Sequence, residues 1–201
     1  MTQKNVAILI FNGVELLDFA GPFEVFSAAR ASLNSTEKLL NVFTVAESME
    51  PVTCNNPLVV MPKYTLEECP PIDILLVPGG QGTRSAIDRV ELIDWIAAWD
   101  QETELITSVC TGSFLLAKAG LLDGKSTTTH WGSIQRMRDA FPGLTVLEDT
   151  RYVDEGAVIS SAGVSAGIDM ALYILQRLFG SEAADATARY IEYDHWDSVA
   201  S

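Results

Sequence analysis

Positive charge is what this chain has least of. It carries 13 Lys and Arg against 27 Asp and Glu, a formal net charge of −14. Binding along a phosphate backbone needs clustered cations, and the few present are scattered, which excludes a nucleic-acid partner. Histidine is scarcer still, with only His130 and His195. The three cysteines, Cys54, Cys69 and Cys110, form no CxxC or other zinc-binding spacing, so no metal site is expected. Unpaired cysteines fit a reducing compartment. No apolar run approaches the ~18 residues of a membrane span. The first run, Val6 to Phe11, is too short for a signal segment. These absences predict a cytoplasmic protein without a membrane partner. No GxGxxG, Walker loop or HExxH appears.

Nearly half of the residues are apolar, enough for a full core in one domain over residues 1–201. The run Asn5 to Phe11 reads as a strand buried on both faces, as do Leu39 to Ala46, Ile72 to Val77 and Leu105 to Val109. Between them lie helical patterns. Pro22 suits the first turn of a helix reaching about Ser32. Asp88 can cap a helix running to about Asp100, with Val90, Ile93, Ile96 and Ala97 on its apolar face. Further helices are predicted from Cys110 to Gly120, from His130 through Arg138, over Gly163 to Phe179 and over Glu182 to Tyr193. Ser126 to Thr129 reads as a short strand. Asp154-Glu155-Gly156 marks a hairpin between Leu144–Tyr152 and Ala157–Ser161. Strands alternating with helices give an α/β fold, a largely parallel sheet covered by helices on both faces.

Chemistry centres on Cys110. It follows a buried strand and precedes a Leu- and Ala-rich helix, the edge where ligands of open α/β sheets bind. Free N–H groups of a helix N-terminus there favour a thiolate, the reactive form of sulfur. Cys54 and Cys69 lack that context and read as structural. Pro78-Gly79-Gly80 follows the neighbouring strand. Its backbone N–H groups, with that of Thr111, could form an oxyanion hole, or the glycines could simply turn the chain. Glu15 and Asp18 follow the first strand among apolar residues. Either could be buried near the sulfur and stay protonated. His130 lines the pocket or serves structure alone. His195 is expected on the surface. Gly163 to Gly167 could be a close-packed turn bordering the pocket.

Together, Phe11-Asn-Gly-Val-Glu-Leu-Leu-Asp18-Phe-Ala-Gly21-Pro22, Val77-Pro-Gly-Gly80, Ser108-Val-Cys110-Thr-Gly112, Thr128-Thr-His-Trp131 and Ala162 to Asp169 resemble the DJ-1/PfpI superfamily, relatives of class I glutamine amidotransferase domains. Within it the likeness is greatest to the isocyanide hydratases. The resemblance implies a flavodoxin-like fold, a homodimer, no cofactor and a small-molecule substrate, an isocyanide hydrated to an N-formamide. It also implies catalysis by Cys110 and Asp18 with Thr111, and backbone donors from Gly79 and Gly80. Proteases and deglycase-like members pair a glutamate with the cysteine, and the proteases place histidine directly after it. Asp18 and Thr111 stand here instead, which counts against both activities. The same segments also resemble the N-terminal half of transcription regulators, which makes a non-catalytic ligand- or redox-sensing protein the rival reading.

Overall fold

The computed structural model describes residues 3–194; His195, expected on the surface, lies outside them. The strands are β1 (Lys4–Leu9), β2 (Leu40–Ala46), β3 (Val52–Thr53), β4 (Val59–Val60), β5 (Tyr64–Thr65), β6 (Ile74–Val77), β7 (Leu105–Val109), β8 (Ser126–Thr127), β9 (Thr145–Val146), β10 (Tyr152–Asp154) and β11 (Val158–Ser161). The helices are α1 (Leu16–Ala28), α2 (Thr83–Ala86), α3 (Val90–Ala98), α4 (Ser113–Lys118), α5 (Ile134–Ala140), α6 (Ala166–Phe179) and α7 (Ser181–Tyr190).

Seven strands form one sheet in the order β10-β11-β7-β6-β1-β2-β5. All neighbours are parallel except β10 and β11, which form the hairpin that Asp154-Glu155-Gly156 predicts. The central strands β6 and β7 are buried throughout and β1 is buried from Val6 onward, with apolar residues in the majority. Sequence-distant neighbours joined through helices are the mark of parallel crossover connections. Burying each of their Leu and Ile side chains contributes roughly 1.5–3 kcal/mol. Among the described residues no helix is long and apolar enough to cross a membrane.

Several boundaries differ from expectation. Helix α1 starts at Leu16, so Pro22 lies inside it rather than in its first turn. The start is set by the preceding loop. Val14 bridges to Gly80, and the Glu15 N–H donates to the Gly79 carbonyl at 2.9 Å. Asp18 thereby becomes a helical residue. The helix ends at Ala28, short of Ser32, where Lys38 Nζ bonds the Ser27 carbonyl and Arg30 Nε bonds that of Ala28. These side chains take carbonyls that another turn of helix would have used. Arg89, not Asp88, stands at the N-cap of α3, and Val90 is 70% exposed while Leu92, Ile93 and Ile96 carry the buried face. The strand expected over Leu144–Tyr152 is split. Thr145–Val146 pairs with Ser126–Thr127 in a separate ribbon, and only Tyr152–Asp154 joins the main sheet.

Cys110 opens a 3₁₀ turn, Cys110–Gly112, and not the α-helix itself. Helix α4 then runs for only six residues. Gly112 closes this turn against the sheet: a Cβ there would lie 2.1 Å from the Val77 carbonyl oxygen and 2.9 Å from Pro78 atoms. Since that obstacle is backbone, Gly112→Ala should destabilise the chain by roughly 2–3 kcal/mol in urea unfolding. An unchanged midpoint would show that the turn does not rest on β6.

Candidate active site

Parallel register builds the site. Val77 lies opposite Ser108, so the loop after β6 and the turn after β7 leave the sheet side by side. On the other flank Ser161 lies opposite Val109, which brings Ala162-Gly163-Val164 alongside. Helix α1 returns over the same edge after β1. Four connections converge at the carboxyl end of adjacent parallel strands, where open α/β sheets place ligands.

Cys110 occupies the point of this convergence with φ +58°, a left-handed conformation that costs an L-residue about 1–3 kcal/mol. Surrounding bonds hold it there. Its N–H donates to the Ala162 carbonyl at 3.2 Å. Its own carbonyl accepts from Ser113 Oγ at 3.1 Å and Thr129 Oγ1 at 2.9 Å. This sharp strand-to-turn geometry presents a nucleophile outward from the sheet. Here the sulfur faces a cavity of about 200 Å³ shared with Thr111, Glu15, Gly80, His130 and Val164.

Of the two candidate acids, Asp18 meets the sulfur. It has no exposed surface, and it lies close enough to Cys110 that each group shifts the titration of the other. Its oxygens also accept from the Gly79 N–H at 3.0 Å and the Val164 N–H at 3.2 Å. Burial pushes the carboxyl up to about 7, against the pull of these donors, and the nearby Glu15 charge adds to the rise. Glu15 lies at the rim, where its Oε2 accepts from Asn55 Nδ2 at 3.1 Å.

The two glycines do not form the oxyanion hole considered from sequence. The Gly79 N–H is given to Asp18, and the Gly80 N–H to Thr111 Oγ1 at 3.0 Å. What they supply is proximity. A Cβ on Gly79 would stand 2.5 Å from the Thr111 nitrogen and 2.9 Å from Asp18 Oδ2. The Thr111 hydroxyl in turn donates to the Gly80 carbonyl at 3.3 Å and accepts from Thr83 Oγ1 at 3.2 Å, and Thr111 lies near enough to the sulfur to pull the thiol down.

The expected thiolate is also corrected. Burial first, and then the Asp18 charge, push the Cys110 thiol up to about 12, with Thr111 opposing. Cys110 and Asp18 therefore titrate as a coupled pair.

His130 lines the cavity, but its Nδ1 accepts from the Gly132 N–H at 3.2 Å and caps the turn that follows. Gly163 makes room for its ring: a Cβ there would fall 2.3 Å from His130 Cδ2. The Gly163–Gly167 segment does border the site, through Val164, whose φ is +54°. Cys54 is buried and Cys69 half-buried, both outside the cavity. Sequence reasoning missed Arg84 of α2 and Arg136 of α5, which also line it. They follow the Gly79-Gly80 and His130 segments closely, on helices α2 and α5, but no motif shows which of their side chains turn toward the cavity.

A cysteine at a strained elbow, clasped by a buried acid from the first helix, is the arrangement that the sequence resemblance implies. The DJ-1/PfpI family model matches residues 4–177. The chain belongs to the DJ-1/PfpI family. Isonitrile hydratase of Pseudomonas putida is 35% identical over 189 residues, which cover 94% of this chain and 78% of that protein. The HTH-type transcriptional regulator GbdR of Pseudomonas aeruginosa is 27% identical over 191 residues, and this chain spans only 51% of its length. Among solved structures, a ThiJ/PfpI family protein from Pseudomonas syringae superposes with a TM-score of 0.86 at 30% identity, over 99% of this chain and 78% of that one.

The raised Asp18 value links to stability with a definite sign. Between about 4 and 7 the folded chain keeps a proton that the unfolded chain releases. Stability from this group is full below the unfolded value and is lost as pH rises through about 7. The advantage of wild type over Asp18→Asn in urea unfolding should shrink by roughly 2–4 kcal/mol from pH 4 to pH 8. A pH-independent difference would show that Asp18 is not buried as described.

Proposed function

We propose that this DJ-1/PfpI protein hydrates a small isocyanide to its N-formamide, with Cys110 as nucleophile and Asp18 as the proton carrier. The observation that carries the reading is the fully buried Asp18 carboxyl, fixed beside Cys110 by the Gly79 and Val164 N–H groups and pushed up to about 7 by that burial. An isocyanide carbon must gain both a nucleophile and a proton. A pair that shares one proton supplies both. The proton moves from sulfur to Asp18, and the sulfur forms its bond to the terminal carbon. Asp18 then delivers that proton to the same carbon, leaving a thioimidate and a carboxylate. Asp18 next accepts a proton from water as the water oxygen attacks. Expulsion of sulfur, with return of the proton to the pair, releases R–NH–CHO. The net change is addition of one water. Thr111 steadies the sulfur anion through its N–H and hydroxyl.

Similarity to isonitrile hydratase across most of both chains supports this reading. Similarity to GbdR supports ligand sensing without turnover, over about half of that protein.

The reading is tested by following loss of an alkyl isocyanide and appearance of its formamide by NMR. Cys110→Ala and Asp18→Asn should each lower kcat by about 10³-fold or more, and Thr111→Val by about tenfold. Turnover that survives either of the first two changes overturns the mechanism. Because the one-proton pair is the active form, kcat/KM should rise with pH through about 7. A profile that falls across that range would contradict the assignment.

A further inference from the structure

The cysteine cavity carries positive charge that the proposed chemistry does not use. Arg84 and Arg136 line it from α2 and α5. In a chain with 27 acids, arginines are readily neutralised. Arg89 pairs with Glu47, Arg138 with Glu148, Arg151 with Asp169 and Arg177 with Asp154. Arg84 and Arg136 have no carboxylate partner among the described residues. The one carboxylate at the rim, Glu15, is bonded to Asn55.

Arg136 is the better placed of the two. Its guanidinium lies 4.2 Å from the centre of the Phe114 ring, which fixes its plane beside the cavity. Its Nε is buried without a hydrogen-bond partner, so no protein acceptor satisfies it. Burial and the Arg84 charge both pull Arg136 down, and Cys110 pulls it up. The two cations therefore feel one another and the sulfur. A planar fork of donors suits a carboxylate.

From this geometry we infer that Arg84 and Arg136 select a small substrate bearing a carboxylate. Taken with the proposed function on which it rests, the substrate class is a carboxylate-bearing isocyanide. The single charge fits because Glu15 offsets part of the arginine field. The cavity of about 200 Å³ also falls below the size of sites for drug-sized ligands, roughly 300–1,000 Å³.

Two readouts separate this inference from the hydratase reading. The first uses the resting enzyme. Cys110 is alkylated with iodoacetate or iodoacetamide, and its peptide is followed by mass spectrometry. The ratio of the two rates, referred to that of the urea-unfolded chain, should favour the anion. It should fall about tenfold in Arg136→Met and about threefold in Arg84→Gln, with Arg136→Lys retaining more than Arg136→Met. Equal slowing of both reagents would mean that the arginines act only on the sulfur anion, and would overturn the inference. The second compares kcat/KM for isocyanoacetate and its methyl ester. Preference for the acid supports the inference; preference for the ester overturns it and leaves hydration standing. An anion-selective alkylation ratio without turnover of either isocyanide supports the selectivity and overturns the hydratase reading.

Discussion

Everything at this site depends on how Asp18 is held. One oxygen takes the Gly79 N–H, the other takes the Val164 N–H, and the thiol of Cys110 reaches the same carboxyl. Those donors come from the loops after β6 and β11, on opposite sides of the strand that carries Cys110. The acid is therefore a clasp between two crossovers as well as a proton carrier. Its position follows from the early start of α1, which the Val14–Gly80 bridge imposes.

Opposing effects set the protonation of the pair. Desolvation raises both groups, and hydrogen bonds from three donors pull the acid back toward its ordinary range. Had desolvation acted alone, Asp18 would hold its proton too firmly to give it up. Had the donors won, it would be too weak a base to take the proton from sulfur. The elbow at Cys110 adds to the constraint: a backbone strained at φ +58° persists only because its N–H and carbonyl are all bonded to neighbours.

The sequence was most readable where periodicity and burial coincide. The runs now seen as β1, β2, β6 and β7 are rich in apolar residues, and the placement of Cys110 after β7 and beside Pro78-Gly79-Gly80 followed from them. What resisted was whatever depends on contacts across the sheet edge. Pro22 signalled a helix start, but a backbone bridge from Gly80 set the start six residues earlier. Gly79 and Gly80 had the right composition for free donors, yet their N–H groups are consumed by Asp18 and Thr111. The choice between Glu15 and Asp18 could not be made from one chain, because only the rotation of α1 decides which carboxyl turns inward. Arg84 and Arg136 had no local pattern at all.

Gly82 shows how unevenly this architecture can change. A Cβ there would fall 2.0 Å from the Asn12 carbonyl oxygen, just as Gly79, Gly80 and Gly112 are each shut in by neighbouring backbone. The main chain behind the site is thus welded, atom against atom, and offers a lineage almost no room to drift. The opposite wall of the cavity is different, since α2 and α5 contribute long side chains that can be exchanged without disturbing the main chain. Divergence in what such proteins accept should accordingly accumulate on those two short helices, while the reacting apparatus stays frozen beneath them.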